Sequence, residues 1–226
     1  MYRAFLPCCA TITLCCAQAL AGEPNREPRS DDIKALIAQL RSPNQPPKVL
    51  PEAGPQAEYS AGYDRKAQEK VDEARRKLRD FGPAAIPCLA LHSNDTDYSD
   101  TVDDGAFDRN LTVGEECHYL IESQLMPLAQ SSSFPTRHPE GASVQSSWPS
   151  PRYVRAHNLY DPKSAEEWWK QRRNKSLHDI QIEVLEWTTN ELKKTSDPER
   201  AALQAKLKAL RQTVQPLKPE WYLWAK

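Results

Sequence analysis

The sequence predicts an all-α protein, and three observations favour that fold class. Apolar residues recur at helical spacing in several segments, most of these segments begin at a capping residue, and only 7 Gly accompany 19 Pro in 226 residues. Hydrophobic residues make up 39% of the chain and charged residues 27%, with a formal net charge of -1. This composition argues against collagen-like, coiled-coil and polytopic membrane classes and is typical of a soluble globular protein.

Residues 1–21 have the pattern of a secretory signal peptide. Arg3 supplies a positive start, residues 4–17 form an apolar run, and Ala19 and Ala21 stand three and one residues before a cut ahead of Gly22. The run is shorter than the about 20 residues that span a bilayer. We therefore expect a secreted or periplasmic protein with no transmembrane segment after signal cleavage.

Residues 22–60 are predicted to hold an N-terminal helix and a Pro-rich linker. Ser30 is an N-cap, and the residues that follow at one-face spacing are Ile33, Leu36, Ile37 and Leu40. Prolines then interrupt the chain repeatedly between positions 43 and 55, so residues 42–56 are expected to be extended. Residues 61–226 form the predicted helical domain.

A helix pair is predicted at the start of that domain. Residues 61–80 form a charged helix with a narrow apolar stripe, Phe81-Gly82-Pro83 ends it, and residues 84–92 form a short apolar helix. The segment from Leu78 to Asp95, LRDFGPAAIPCLALHSND, resembles the helix, tight turn and second helix of a HEAT-type repeat. With the later Asn-Leu-Thr-Val-Gly-Glu-Glu-Cys segment and a Trp-Trp pair, it resembles uncharacterised secreted bacterial proteins with degenerate HEAT-like helices. The resemblance implies an irregular HEAT-like array or bundle that acts as an interaction scaffold, with no catalytic residues to transfer.

The remaining elements are predicted from turn and cap residues. A hairpin is expected around Asp103-Asp104-Gly105, and Thr112 with Glu115 forms a capping box for the next helix. Residues 130–162 are rich in Ser and Pro and are interpreted as a long loop insertion. Three helices follow, starting at Ser164, Ser176 and Asp197, and we expect both Trp168 and Trp169 to be core residues.

Two cysteines, Cys88 and Cys117, remain after signal cleavage. In an exported protein a pair of this kind predicts a disulfide, and two buried free thiols are the alternative. A bridge closing a loop of about thirty residues would stabilise the fold by ~3 to 4 kcal/mol in the chain-entropy model.

The acidic segment from residue 92 to 126 is the main candidate for chemistry. It holds nine Asp or Glu and Arg109 as its one basic residue. Oxygen ligands stand at alternating positions in Asp95, Asp97 and Ser99, with Asp100 next to them. Gly and Glu are missing from the sixth and twelfth positions that an EF-hand calcium loop needs. A solvated acidic loop is one interpretation, and an exported hydrolase using this Asp-rich loop, with or without a divalent metal, is another.

Other functional signatures are absent from the sequence. The five histidines are scattered, and neither a nucleophile elbow nor a Gly-rich phosphate loop occurs. His118 is expected at the surface or at a boundary, and His178 is expected to face solvent. We therefore predict no catalytic residues, no cofactor and no metal ligands, and the near-neutral charge excludes nucleic acid as the expected partner. Oligomeric state stays open.

The last eleven residues, PLKPEWYLWAK, concentrate aromatic side chains where chain ends normally fray. Pro216 and Pro219 favour an extended tail, which is expected to fold back on the helix that carries Trp187. The alternative is a partner-binding tail, with Trp221, Tyr222 and Trp224 as the candidate residues. The sequence thus predicts a secreted or periplasmic, non-catalytic helical scaffold that binds an unidentified protein or envelope component.

Overall fold

A computed structural model describes residues 30–49, 57–103, 108–126, 149–192 and 199–216. This part of the chain is mostly helical, which agrees with the predicted class at the coarse level. The helices are α1 (Ser30–Gln39), α2 (Arg65–Asp80), α3 (Ile86–Ala90), α4 (Val113–Leu125), α5 (Pro149–Ala156), α6 (Pro162–Arg172), α7 (Leu177–Leu192) and α8 (Glu199–Arg211). Two small antiparallel sheets pair β1 (Lys48–Val49) with β2 (Ala57–Glu58) and β3 (Tyr98–Asp103) with β4 (Asp108–Thr112).

One hydrophobic core joins the helices. The predicted N-terminal helix takes part in it, because Ile33, Ile37 and Leu40 are buried and α1 packs against α2 and α3. The Pro-rich linker after α1 contains strands β1 and β2, which the prolines had not predicted. No helix within the described ranges is both long enough and apolar enough to cross a membrane.

The predicted helix pair is present as α2, a 3₁₀ turn (Gly82–Ala85) and α3. Gly82 has φ +60°, the left-handed conformation that ends a helix and that glycine adopts without a Cβ clash. Helix α2 begins at Arg65 rather than residue 61, because the Asp64 side chain caps it by accepting a hydrogen bond from the Ala67 amide. A hairpin follows α3 instead of a further helix pair, so HEAT-like repetition stays a prediction.

The predicted hairpin and the capping box of α4 are both confirmed. Strands β3 and β4 pair from Tyr98–Thr112 to Asp103–Asp108, and the hairpin tip, residues 104–107, lies outside the described residues. Thr112 and Glu115 exchange the reciprocal hydrogen bonds of the capping box. At Gly114 an added Cβ would lie 2.6 Å from the Ser93 carbonyl oxygen, so glycine is required for the close approach of α4 to the backbone at Ser93 and Asp95.

Helix α5 corrects the prediction of a continuous loop over residues 130–162. Its prolines, Pro149 and Pro151, lie in the first turn, where a helix needs no amide donor, and Tyr153 and Val154 are fully buried. The prolines and serines had suggested a loop although the first turn of a helix accepts both. Residues 127–148 lie outside the described part.

The starts of the last helices agree in part with the predictions. Asp161, not Ser164, caps α6 by accepting from the Ser164 amide, and Pro162 takes the first helical position. Ser176 precedes α7 as predicted, and its hydroxyl accepts from the Asp179 amide. The predicted start of α8 at Asp197 lies outside the described residues. The sequence predicts an apolar stripe of Leu203, Leu207, Leu210 and Val214 for this last helix. The first three are buried in α8, but Val214 is 90% exposed beyond the helix end.

Cys88 and Cys117 are both buried and both free thiols in the structure. The helices that carry them, α3 and α4, do pack together, but the Cys88 Sγ lies 3.6 Å from the Ser30 Oγ. Burial raises the pKa of the Cys117 thiol to about 12. The bridge predicted from the sequence is not formed here and stays a prediction, which a thiol count on the denatured, unreduced protein checks.

Candidate functional site

The central polar feature of the molecule is a buried ion cluster around Arg75 on α2. The Arg75 guanidinium donates to both carboxylate oxygens of Glu116 at 2.9 and 2.7 Å, to Asp100 at 2.8 Å and to Asp72 at 2.6 Å. Helix α2 supplies Asp72 and Arg75, β3 supplies Asp100, and α4 supplies Glu116. The cluster therefore ties three elements together at one point.

The electrostatics of this cluster reflect burial as much as pairing. Burial alone would lower the pKa of Arg75, but the charges of Glu116 and Asp100 outweigh it and raise that pKa. Burial raises the pKa of Glu116 despite the neighbouring Arg75, and it lowers the pKa of Arg79 to about 10. Glu116 is only 3% exposed, so a substrate has no access to this carboxylate. A perturbed pKa here marks a structural network rather than an active site.

A chain of hydrogen bonds extends the cluster toward the hairpin. Gln68 donates to the Ser99 carbonyl and to Asp100, each at 2.9 Å, and accepts from the Ser42 hydroxyl at 2.8 Å. Tyr98 shares a 2.7 Å hydrogen bond with Thr101, and burial raises the pKa of its phenol. The hairpin is therefore fixed to α2 by polar contacts.

The acidic residues singled out in the sequence do not converge on one cavity. Asp95 and Asp97 both pair with Arg41, whereas Asp100 belongs to the Arg75 cluster. Asp104 lies outside the described residues. Within the described ranges no group of three or more His, Cys, Asp or Glu side chains is arranged to hold a metal ion. The carboxylates that were candidates for chemistry are held by arginines in two separate places.

These ion pairs predict that calcium has no effect on stability. A ligand stabilises a protein only when it binds the folded state preferentially, and calcium would have to displace Arg41 and Arg75. We expect millimolar calcium to leave the melting temperature unchanged in a thermal unfolding scan. A saturable rise that is lost in Asp97→Asn and Asp100→Asn would contradict this expectation.

Sequence reasoning missed Glu116 and Arg75, the two residues at the centre of the cluster. A usable signal was present in both helices. Glu116 directly precedes the inner-face residue Cys117, and Arg75 directly follows the buried Ala74. Arg75 and Glu116 carry opposite charges, and each borders the apolar stripe of its own helix. When two such helices pack together, as α2 and α4 do, the two charges are expected to form a buried pair.

A second polar cluster joins α5, α6 and α7 around Glu183. Its carboxylate accepts from Tyr153 at 2.5 Å, from Arg172 Nε at 2.8 Å and from Lys175 at 2.8 Å. The Trp168 indole donates to the Tyr153 hydroxyl at 3.1 Å, and the Arg172 guanidinium carbon lies 4.8 Å from the centre of the Trp168 ring. Trp168 is a core residue as predicted, whereas Trp169 is only partly buried against the core.

The Glu183 cluster predicts a loss of stability in acid. Burial alone would raise the pKa of Glu183, but hydrogen bonds from Arg172, Lys175 and Tyr153 lower it from 4.5 to about 2. A carboxyl whose pKa is lower in the folded state than in the unfolded state stabilises the fold at pH values above the unfolded-state pKa. This contribution is therefore lost as the pH falls from about 4.5 to about 2. Allowing for partial exposure, we expect Glu183→Gln to remove about 2 kcal/mol of stability at pH 7 and less at pH 2.5. Urea unfolding at both pH values measures the difference, and an equal loss at both would contradict the prediction.

The histidines occupy structural positions. His178 is not on the surface as predicted, because its Nε2 lies 2.9 Å from the Leu210 carbonyl oxygen and joins α7 to the end of α8. His118 is partly buried as expected, with its ring 4.1 Å from that of Tyr160, and burial lowers its pKa. Tyr160 in turn donates to Glu122, whose pKa is raised by burial.

An open groove of about 660 Å³ runs along α6 and is called the α6 groove below. It is lined by Trp168, Arg172 and the polar residues His157, Lys163, Ser164, Glu167 and Gln171. The groove offers hydrogen-bond donors and acceptors and side chains of both charges. This mixture suits recognition of a polar chain rather than of an apolar ligand.

Comparisons with protein-family models, curated proteins and solved structures find no match to this chain. The candidate partner-binding residues Trp221, Tyr222 and Trp224 lie outside the described residues, while Trp187, against which the tail is expected to pack, is partly buried on α7. The α6 groove and the two ion clusters are therefore the features from which a function can be argued.

Proposed function

We propose that the protein is a secreted or periplasmic, non-catalytic helical scaffold that binds a partner protein. One observation supports this proposal above the others: Asp95, Asp97 and Asp100 are engaged by Arg41 and Arg75. A carboxylate whose oxygens are already held by a guanidinium is not free to bind a metal ion or to exchange a proton with a substrate. The alternative, an exported hydrolase using the Asp-rich loop, is less well supported for the same reason.

The scaffold is proposed to be an irregular HEAT-like array whose secretion depends on residues 1–21. The α2–turn–α3 unit with its positive-φ Gly82 supports the first part, and the apolar run before Gly22 supports the second. Helices that pack mainly through their apolar faces leave polar faces free for partners. Large exposed hydrophobic side chains in the described part are Tyr59, Leu91 and Val214, which favours a polar interaction over a large apolar interface.

The α6 groove is the proposed binding surface, and its occupant is an extended polar segment of a partner protein. The Gln171 amide donates to Glu167 and accepts from Arg172, each at 3.4 Å, and it can exchange these long contacts for hydrogen bonds with a peptide backbone. Lys163 and Glu167 supply one charge of each sign in the same groove. Backbone and side-chain polar groups of a peptide would find complementary partners along this groove.

The test is capture of the partner from envelope extract on the immobilised protein. We expect a component whose capture saturates and falls at least ten-fold for Gln171→Arg, which places a large charge in the groove. The matched control is Gln39→Arg, the same change at an exposed position on α1, which should bind as the unchanged chain does. Capture that is equal for both variants would contradict the α6 groove as binding surface, and capture that survives protease treatment of the extract would contradict a protein partner.

A further inference from the structure

A second groove, of about 660 Å³, lies between α7 and α8 and is called the α7–α8 groove. Its apolar lining residue is Leu207, and its polar lining includes Glu186, Thr189, Gln204 and Gln212. Helix α8 packs on α7, and its outward side carries exposed small residues such as Ala201 and Ala205. The groove is thus open along the outer helix of the described fold.

One buried hydroxyl in this groove has no hydrogen-bond partner. Thr189 is only 5% exposed, and its Oγ1 is unpaired among the described residues. The hydroxyl of the neighbouring Thr188 is paired, because it donates to the Val184 carbonyl at 2.8 Å. Buried polar groups are nearly always paired in folded proteins. This hydroxyl lies below the surface of the groove and is not itself offered to a ligand.

The rest of the chain begins beside the groove and is long enough to fill it. The described residues end at Pro216, four positions beyond the lining residue Gln212. The ten residues from 217 to 226 can span about 33 Å when extended. Helix α8, with thirteen residues, is about 20 Å long. A tail that turns back after Pro216 can therefore run the whole length of the groove.

The side chains of this tail match the chemistry of the groove. Trp221 and Leu223, which share one side of an extended tail, are large apolar side chains, and the Trp221 indole adds an N–H donor. In the groove, Leu207 is the apolar lining residue and the carboxylate of Glu186 is paired with Arg211. Exposed polar groups are supplied by Gln204, Lys208 and Gln212. We propose that the α7–α8 groove holds residues 217–226 of the same chain, as an intramolecular clamp on α7 and α8.

In an extended tail, alternate residues face opposite sides. Trp221 and Leu223 enter the groove in this arrangement, and Tyr222 and Trp224 face outward. The clamp accounts for the aromatic tail without a partner, so it does not depend on the function proposed for the α6 groove.

The experiment compares the full chain with a chain truncated after Leu217. We expect the truncation to lower the melting temperature by at least about 5 °C, because contacts between the tail and two helices are lost. A labelled synthetic peptide of residues 217–226 should bind the truncated chain saturably and raise its melting temperature. The full chain should bind the same peptide at least ten-fold more weakly, because its own tethered tail competes at a high effective concentration.

A matched pair of variants locates the binding to the groove. In the truncated chain, Gln204→Trp fills the groove and should abolish peptide binding, whereas Ala205→Trp places the same side chain on the exposed side of α8 and should not. If truncation leaves the melting temperature unchanged and the peptide does not bind, the clamp is refuted. Equal loss of binding in both variants would also overturn it. So would a full chain that is dimeric by light scattering and becomes monomeric on truncation, because the occupant would then be a second copy.

Discussion

Replacing Arg75 with alanine is expected to lower the free energy of unfolding by about 3 to 5 kcal/mol. The substitution leaves Glu116 buried and Asp100 largely buried, both without the guanidinium that now pairs with them. A buried charge without a partner costs far more than the net stabilisation of the intact pair, since desolvation of the carboxylate is no longer offset. Urea unfolding of the variant measures this loss.

The control for this variant lies one residue further along α2. Arg76 is exposed, so Arg76→Ala should change the free energy of unfolding by no more than about 0.5 kcal/mol. Adding Glu116→Gln to Arg75→Ala should recover part of the loss, because it removes the buried negative charge. Equal effects of Arg75→Ala and Arg76→Ala would show that the cluster does not hold α2, α4 and the hairpin together.

Replacing Trp168 with alanine is expected to cost about 3 to 5 kcal/mol. Trp168 is 4% exposed, and the change leaves a cavity beside Tyr153, removes the indole donor to Tyr153 and removes the ring next to Arg172. The cavity, the lost hydrogen bond and the lost cation–π contact each lower the free energy of unfolding further, in addition to the lost burial of the ring itself. Thermal and urea unfolding both measure the effect.

The adjacent Trp169 provides the comparison. Its ring is only partly buried against the core, so Trp169→Ala should cost about half as much or less. From helical angles alone both rings were predicted to be core residues. Equal losses for the two variants would restore that prediction, and a near-normal stability of Trp168→Ala would show that this ring is not a core residue.

Local signals in the sequence predicted many of the elements. Thr112 with Glu115, Gly82 before Pro83, and the apolar stripe of α8 each depend on residues within one turn or two, so helix and turn chemistry determine them. Helix α5 was missed because its prolines suggest a loop when the burial of Tyr153 and Val154 is unknown. Its stability comes from packing rather than from propensity.

The candidate site was less predictable than the fold. Asp100 was a candidate for metal binding or hydrolysis in the sequence, but in the structure it is held by Arg75 and Gln68 of α2, far away in the chain. No local pattern specifies which arginine reaches a given carboxylate, because that depends on how the helices pack. The same reason made the acidic segment look like a candidate for metal binding or hydrolysis.

Crosslinking in cells that make the protein tests the binding role most directly. A photoreactive amino acid at position 171 would lie in the α6 groove, and the same amino acid at position 39 would lie on the exposed side of α1. The scaffold proposal predicts a discrete protein adduct from position 171, of constant size, that is absent at position 39. No adduct from position 171, or the same adducts from both positions, would contradict it.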